Sequence, residues 1–92
     1  MKSRVLGAML LALAAPAALA GERTVTLSVE RMTCELCPIT VAKAIERVAG
    51  VVDVAVDYQA GTAVVMFDDD VTTSSEVAAA STNAGYPAHP IQ

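Results

Sequence analysis

The chain has 92 residues, six basic and ten acidic side chains, a formal net charge of −4, two cysteines and no tryptophan. It is long enough for one small domain with a modest core, near the lower limit for independent folding. An acidic chain with three aromatic residues and no basic stripe is a poor nucleic-acid binder, and no Ser-His-Asp arrangement, phosphate loop or paired-carboxylate signature marks a hydrolase.

Residues 1–20 read as a cleaved export signal. Lys2 and Arg4 give a positive start, Val5 to Ala15 is apolar, and Ala18-Leu19-Ala20 is a small-x-small cleavage site. The apolar stretch is too short to span a membrane. Residues 21–92 then form the domain. Four cations (Arg23, Arg31, Lys43, Arg47) stand against ten carboxylates there, a formal charge of −6.

Residues 24–30 alternate, with Val25, Leu27 and Val29 on one face, and predict a half-buried strand. Residues 31–36 read as a loop. From Cys37 the period changes: Val41, Ile45 and Val48 fall on one helical face. Pro38 suits the first turn of that helix and Gly50 its C-terminal stop. Val52, Val54 and Val56 predict a second strand, 58–61 a turn, and 62–67 a third strand. Asp68-Asp69-Asp70 breaks it, as a turn plus helix N-terminal charge. Thr73-Ser74-Ser75-Glu76 is a capping-box pattern opening a second helix, with Val77, Ala80 and Ala84 inward and Gly85 as its stop. Residues 86–91, interrupted by Pro87 and Pro90, predict an edge strand. The order β-α-β-β-α-β implies an α+β, ferredoxin-like sandwich: a four-stranded antiparallel sheet with two helices on one face.

In that fold Cys34 and Cys37 lie on the loop after the first strand and at the start of the first helix, at one end of the molecule. An exported pair is by default a disulfide. Bridging residues three apart, however, closes a very short loop and stabilises little. Positions i and i+3 at a helix start place the Cβ atoms roughly 5–6 Å apart, which suits a shared ion; a disulfide needs about 3.5–4.5 Å and a tighter loop. Unpaired first-turn amides and the helix dipole favour the thiolate, most at Cys37. A disulfide, a redox pair and a soft-metal grip all remain open on this basis.

Structural zinc wants four ligands, and the one other imidazole or thiol ligand, His89, is distant and reads as a solvated residue. Two thiolates alone suit Hg(II) and Cu(I). Mercuric ion with two thiolates is neutral. Cuprous ion leaves a net negative charge that a cation would relieve; Glu35 has the wrong sign for that and Arg31 the right one. Charge therefore leans toward mercury without settling the choice. Met32 reads as an adaptable core residue beneath the loop rather than a thioether ligand. Tyr86 reads equally as a shield for the loop or as a cover for the core.

The stretches Met32-Thr33-Cys34-Glu35-Leu36-Cys37-Pro38-Ile39-Thr40-Val41, Val64-Val65-Met66-Phe67-Asp68-Asp69 and Ala84-Gly85-Tyr86-Pro87 resemble the heavy-metal-associated domains from residue 24 to 92. Within them they are most similar to the periplasmic mercuric-ion-binding proteins of bacterial mercury resistance. The Met-Thr-Cys-x-x-Cys core gives the superfamily; the Pro-Ile-Thr-Val continuation and the Gly-Tyr-Pro ending favour the mercuric branch. The resemblance implies Cys34 and Cys37 as Hg(II) ligands. It implies Hg(II) as cargo, periplasmic location, hand-off to an inner-membrane mercuric transporter, and a soluble, monomeric, non-enzymatic carrier. Where the family often has glycine before the Met-Thr-Cys core, this chain has Arg31. The alternatives are a periplasmic Cu(I) chaperone and a thiol-disulfide oxidoreductase; the chain lacks the tryptophan-flanked site of the thioredoxin type.

Overall fold

A computed structural model describes residues 21–91 of the protein; the expected leader, residues 1–20, lies outside the described residues, as does Gln92. Six elements follow in chain order: β1 (Glu22–Val29), α1 (Cys37–Glu46), β2 (Val51–Asp57), β3 (Thr62–Asp68), α2 (Ser74–Asn83) and β4 (Ala88–Pro90). The strands form one antiparallel sheet in the order β2-β3-β1-β4. This is the ferredoxin-like arrangement that the sequence predicts.

Alternation along β1 and β3 builds the floor of the core. Val25, Leu27 and Val29 are buried from β1, and Ala63, Val65 and Phe67 from β3. Register pairs Val25 with Val65 and Leu27 with Ala63. Val41 and Ile45 of α1 and Val77 and Ala78 of α2 cover this floor from one side, in one continuous cluster. The valine, leucine, isoleucine and phenylalanine side chains among them contribute roughly 1.5–3 kcal/mol each by leaving water. Val64 and Met66 point to the other, open face of the sheet and stay exposed.

Three local readings are corrected. In β2, Val52 is exposed and Val51 faces the core with Val54 and Val56. The register breaks between Val51 and Asp53, so a bulge flips the alternation. In α2 the inward face is Val77, Ala78 and Ser81, and Ala84 is exposed. The buried Ser81 is accommodated because its Oγ donates to the Tyr86 carbonyl at 2.8 Å. Helix α1 ends at Glu46, before Gly50. A short turn, with the Val48 amide donating to the Ile45 carbonyl at 3.0 Å, carries the chain on to Gly50. Gly50 has φ +98°, and a Cβ there would lie 2.8 Å from Cβ of Val71. Glycine is needed at the close approach between the α1–β2 turn and the β3–α2 turn.

The capping box of α2 forms only in half. Thr73 Oγ1 accepts from the Glu76 amide at 3.1 Å as expected. Glu76 does not reach back to Thr73; its Oε1 accepts instead from the Thr72 hydroxyl at 2.9 Å. Asp68 to Asp70 form the expected turn, with the Asp70 amide donating to Asp68 Oδ1 at 2.9 Å. Asp69 pairs with Arg23 at 2.7 Å.

These connections sort the molecule into two ends. At one, the Val29 amide donates to the Gly61 carbonyl and the Glu30 amide to the Pro87 carbonyl, both at 2.8 Å. They tie the loop after β1, the β2–β3 turn and the loop after α2 into one surface. At the other end the Asp68 amide donates to the Gly50 carbonyl at 2.8 Å. The acidic turn and the Arg23–Asp69 pair sit there, away from the cysteines.

Candidate metal centre

Residues 30–36 leave β1 at the first of these ends and return into α1. Leu36 occupies the N-cap with no side-chain cap, and Cys37 and Pro38 open the helix. The Cys37 amide donates to the Cys34 carbonyl at 3.1 Å, and the Ile39 and Thr40 amides to the Leu36 carbonyl at 3.1 Å. The expectation of unpaired amides around Cys37 is therefore corrected: Pro38 has no N–H, and the amides on either side of it are spent on the turn. The first turn of α1 contains no acidic residue.

The two sulfurs are joined as a disulfide, with Cα atoms 5.3 Å apart. The loop has tightened as bridging requires, within the usual Cα separation of a disulfide. The two positions are unequal: Cys37 is 4% exposed and counts with the core, whereas Cys34 is exposed. A reagent arriving from solvent meets Cys34 first. Leu36 and Ile39, 68% and 51% exposed, give this end an apolar rim.

Met32 packs against the core cluster, as read from the sequence, and so does Tyr86 from the adjoining loop. His89 is exposed on β4, where it pairs in register with Ser28. Asp68, Asp69 and Asp70 bring carboxylate oxygens within 4.8 Å of one another, but at the opposite end of the domain. One feature that sequence reasoning missed is the backbone at Arg31. Its φ is +71°, and it is the one non-glycine residue in the left-handed region among the described residues. The glycine usual at this position was the available signal.

Paired cysteines of unequal exposure lie on the rim of a ferredoxin-like sandwich, joined across one short loop. The chain belongs to the heavy-metal-associated domain family, which it matches over residues 26–87. A mercuric transport protein periplasmic component from Pseudomonas fluorescens is 46% identical over 84 residues, covering 91% of this chain and 92% of the relative. The crystal structure of oxidized MerP from Ralstonia metallidurans CH34 is similar at 49% identity and a TM-score of 0.75, covering 77% of this chain and 99% of that one. The mercury-bound form of MerP, the periplasmic protein of the bacterial mercury detoxification system, is 45% identical with a TM-score of 0.70 over the same shares. A copper-binding domain from the P-type ATPase HMA7 is 27% identical with a TM-score of 0.75, covering 76% of this chain and 95% of that one.

Proposed function

We propose that this protein is a periplasmic carrier of Hg(II), not an enzyme. Residues 1–20 direct export, and residues 21–92 act as a monomeric domain. Reduced Cys34 and Cys37 hold the ion as two thiolates, giving a neutral complex. The carrier then passes it to an inner-membrane mercuric transporter. Likeness to the mercuric periplasmic components and to mercury-bound MerP supports the cargo and the compartment. The observation that carries the ligand assignment is the pairing of an exposed Cys34 with a buried Cys37 across the turn that leads into α1.

When the pair is bridged, as in this structure, it must be opened before it can hold the ion. Two external thiols reduce it: one attacks a sulfur and releases the other cysteine as thiolate. The second resolves the mixed disulfide, leaving two protein thiols and one external disulfide. Binding Hg(II) then releases both thiol protons. Hand-off follows by thiolate exchange. An incoming thiolate of the transporter reaches the metal past exposed Cys34 and forms a three-coordinate intermediate before either cysteine leaves. The exposed Leu36 and Ile39 give that encounter apolar contact.

The test is titration of fully reduced protein with mercuric ion, followed by native mass spectrometry. One ion per monomer is expected, with loss of tight binding in Cys34→Ser and in Cys37→Ser. A Cu(I) carrier is the second reading, favoured by the likeness to a copper-binding domain and by the positive sign of Arg31. Stronger retention of Cu(I) than of Hg(II) in direct competition would establish it instead.

A further inference from the structure

Arg31 combines three properties. It holds φ +71°, a conformation that costs a non-glycine side chain of order 1 kcal/mol and is worth reading as a functional signal. It is exposed, and no carboxylate lies within ion-pair distance of it among the described residues, although Glu30 and Glu35 are near in sequence. It is also the one cation at the cysteine end among those residues. Arg23 pairs with Asp69 at the far end, Lys43 lies in the last turn of α1, and Arg47 caps that helix's C-terminus. Three residues of backbone span at most about 10–11 Å, so Arg31 and Cys34 share one short exposed loop.

We propose that Arg31 is a specificity-determining residue that docks the anionic group of the complex delivering the metal: a mercuric bis-thiolate whose thiols carry carboxylates. The inference rests on the mercuric reading above. A guanidinium pairs with a carboxylate in a directed, charge-assisted way that an ammonium matches only in part. The exchange balances without an oxidant or reductant. Cys34 thiolate attacks the metal, and one carrier thiolate leaves. Cys37 thiolate displaces the second. The two carrier thiolates take up the two protons that the cysteines release. Arg31 holds the carboxylate of the incoming complex while the first sulfur–metal bond forms, and it touches neither sulfur.

The experiment presents Hg(II) to reduced protein as its bis complex with mercaptoacetate, which is anionic, or with 2-mercaptoethanol, which is neutral. The initial loading rate is read by quenching samples at timed intervals, desalting them rapidly and measuring protein-bound mercury by mass spectrometry. Wild type is compared with Arg31→Gln and Arg31→Lys, so that every variant keeps a non-glycine residue in the same backbone conformation. The expected result is a two- to fivefold slower loading of R31Q from mercaptoacetate, about the size of an exposed ion pair. Its rate from 2-mercaptoethanol should be unchanged, and R31K should be intermediate. The mercaptoacetate difference should shrink in about 0.5 M salt, where screening is short-ranged. Equal slowing of R31Q from both complexes, or none from either, overturns the role of Arg31 while leaving the carrier reading intact. Failure of wild type to load from either complex overturns both.

Discussion

The amide of Cys37 donates to the carbonyl of Cys34 at 3.1 Å, so the two cysteines are held in one turn by backbone as well as by sulfur. That backbone hydrogen bond remains available when the sulfurs are separated. A bridge across so short a loop removes little entropy from the unfolded chain, about 1–2 kcal/mol by loop-closure reasoning.

Reduction is accordingly expected to leave the fold intact and to lower the melting temperature by about 5–15 °C. Calorimetry of oxidised and reduced protein, with thiol titration of each sample, measures this. Collapse of the fold on reduction would show the disulfide to be a structural staple.

Arg31 stands where its φ of +71° suits glycine. Arg31→Gly should stabilise the domain by about 0.5–1 kcal/mol, the net of roughly 1–2 kcal/mol of relieved left-handed strain and about 0.5–1 kcal/mol of extra unfolded-chain entropy. Urea unfolding reads this as a higher midpoint at unchanged slope.

Ser81 is fully buried and donates from Oγ to the Tyr86 carbonyl at 2.8 Å, and the Tyr86 amide donates back to the Ser81 carbonyl at 3.0 Å. The pair anchors the loop whose Pro87 carbonyl receives the Glu30 amide. Ser81→Ala should cost about 1–2 kcal/mol. It should also raise amide exchange at Glu30, at the entrance to the cysteine loop, which hydrogen-exchange NMR can follow.

Gly50 and Gly85 both have positive φ, +98° and +106°, yet a Cβ meets Val71 at 2.8 Å in the first and nothing within 4 Å in the second. Gly50→Ala should therefore destabilise the domain by more than Gly85→Ala, by about 1–3 kcal/mol beyond the shared backbone strain of about 1 kcal/mol. Parallel urea denaturation of the two variants gives the difference directly.

The sequence made the large features legible because they depend on local periodicity. Val25, Leu27 and Val29 alternate, Val41 and Ile45 recur at helical spacing, and the order of elements then selects the sheet. What it hid depends on partners. Val52 reads as inward until the register of β3 imposes a bulge opposite Phe67. Ala84 reads as inward until the loop after α2 draws Ser81 under Tyr86. Glu76 completes a capping box on paper, but Thr72 lies nearer to its carboxylate. At the site, the position of both cysteines was legible from their spacing and the following proline. Their unequal burial was not, because it depends on how α1 lies on the sheet. The left-handed backbone of Arg31 was masked by a side chain that rarely adopts it.

The central claim is that Hg(II) is held by the sulfurs of Cys34 and Cys37 alone. X-ray absorption at the mercury edge on the reduced, singly loaded protein tests it most directly. The account predicts a single shell of two sulfur neighbours and loss of that shell in Cys37→Ser. A shell of three or four ligands, or one containing nitrogen or oxygen, would contradict it.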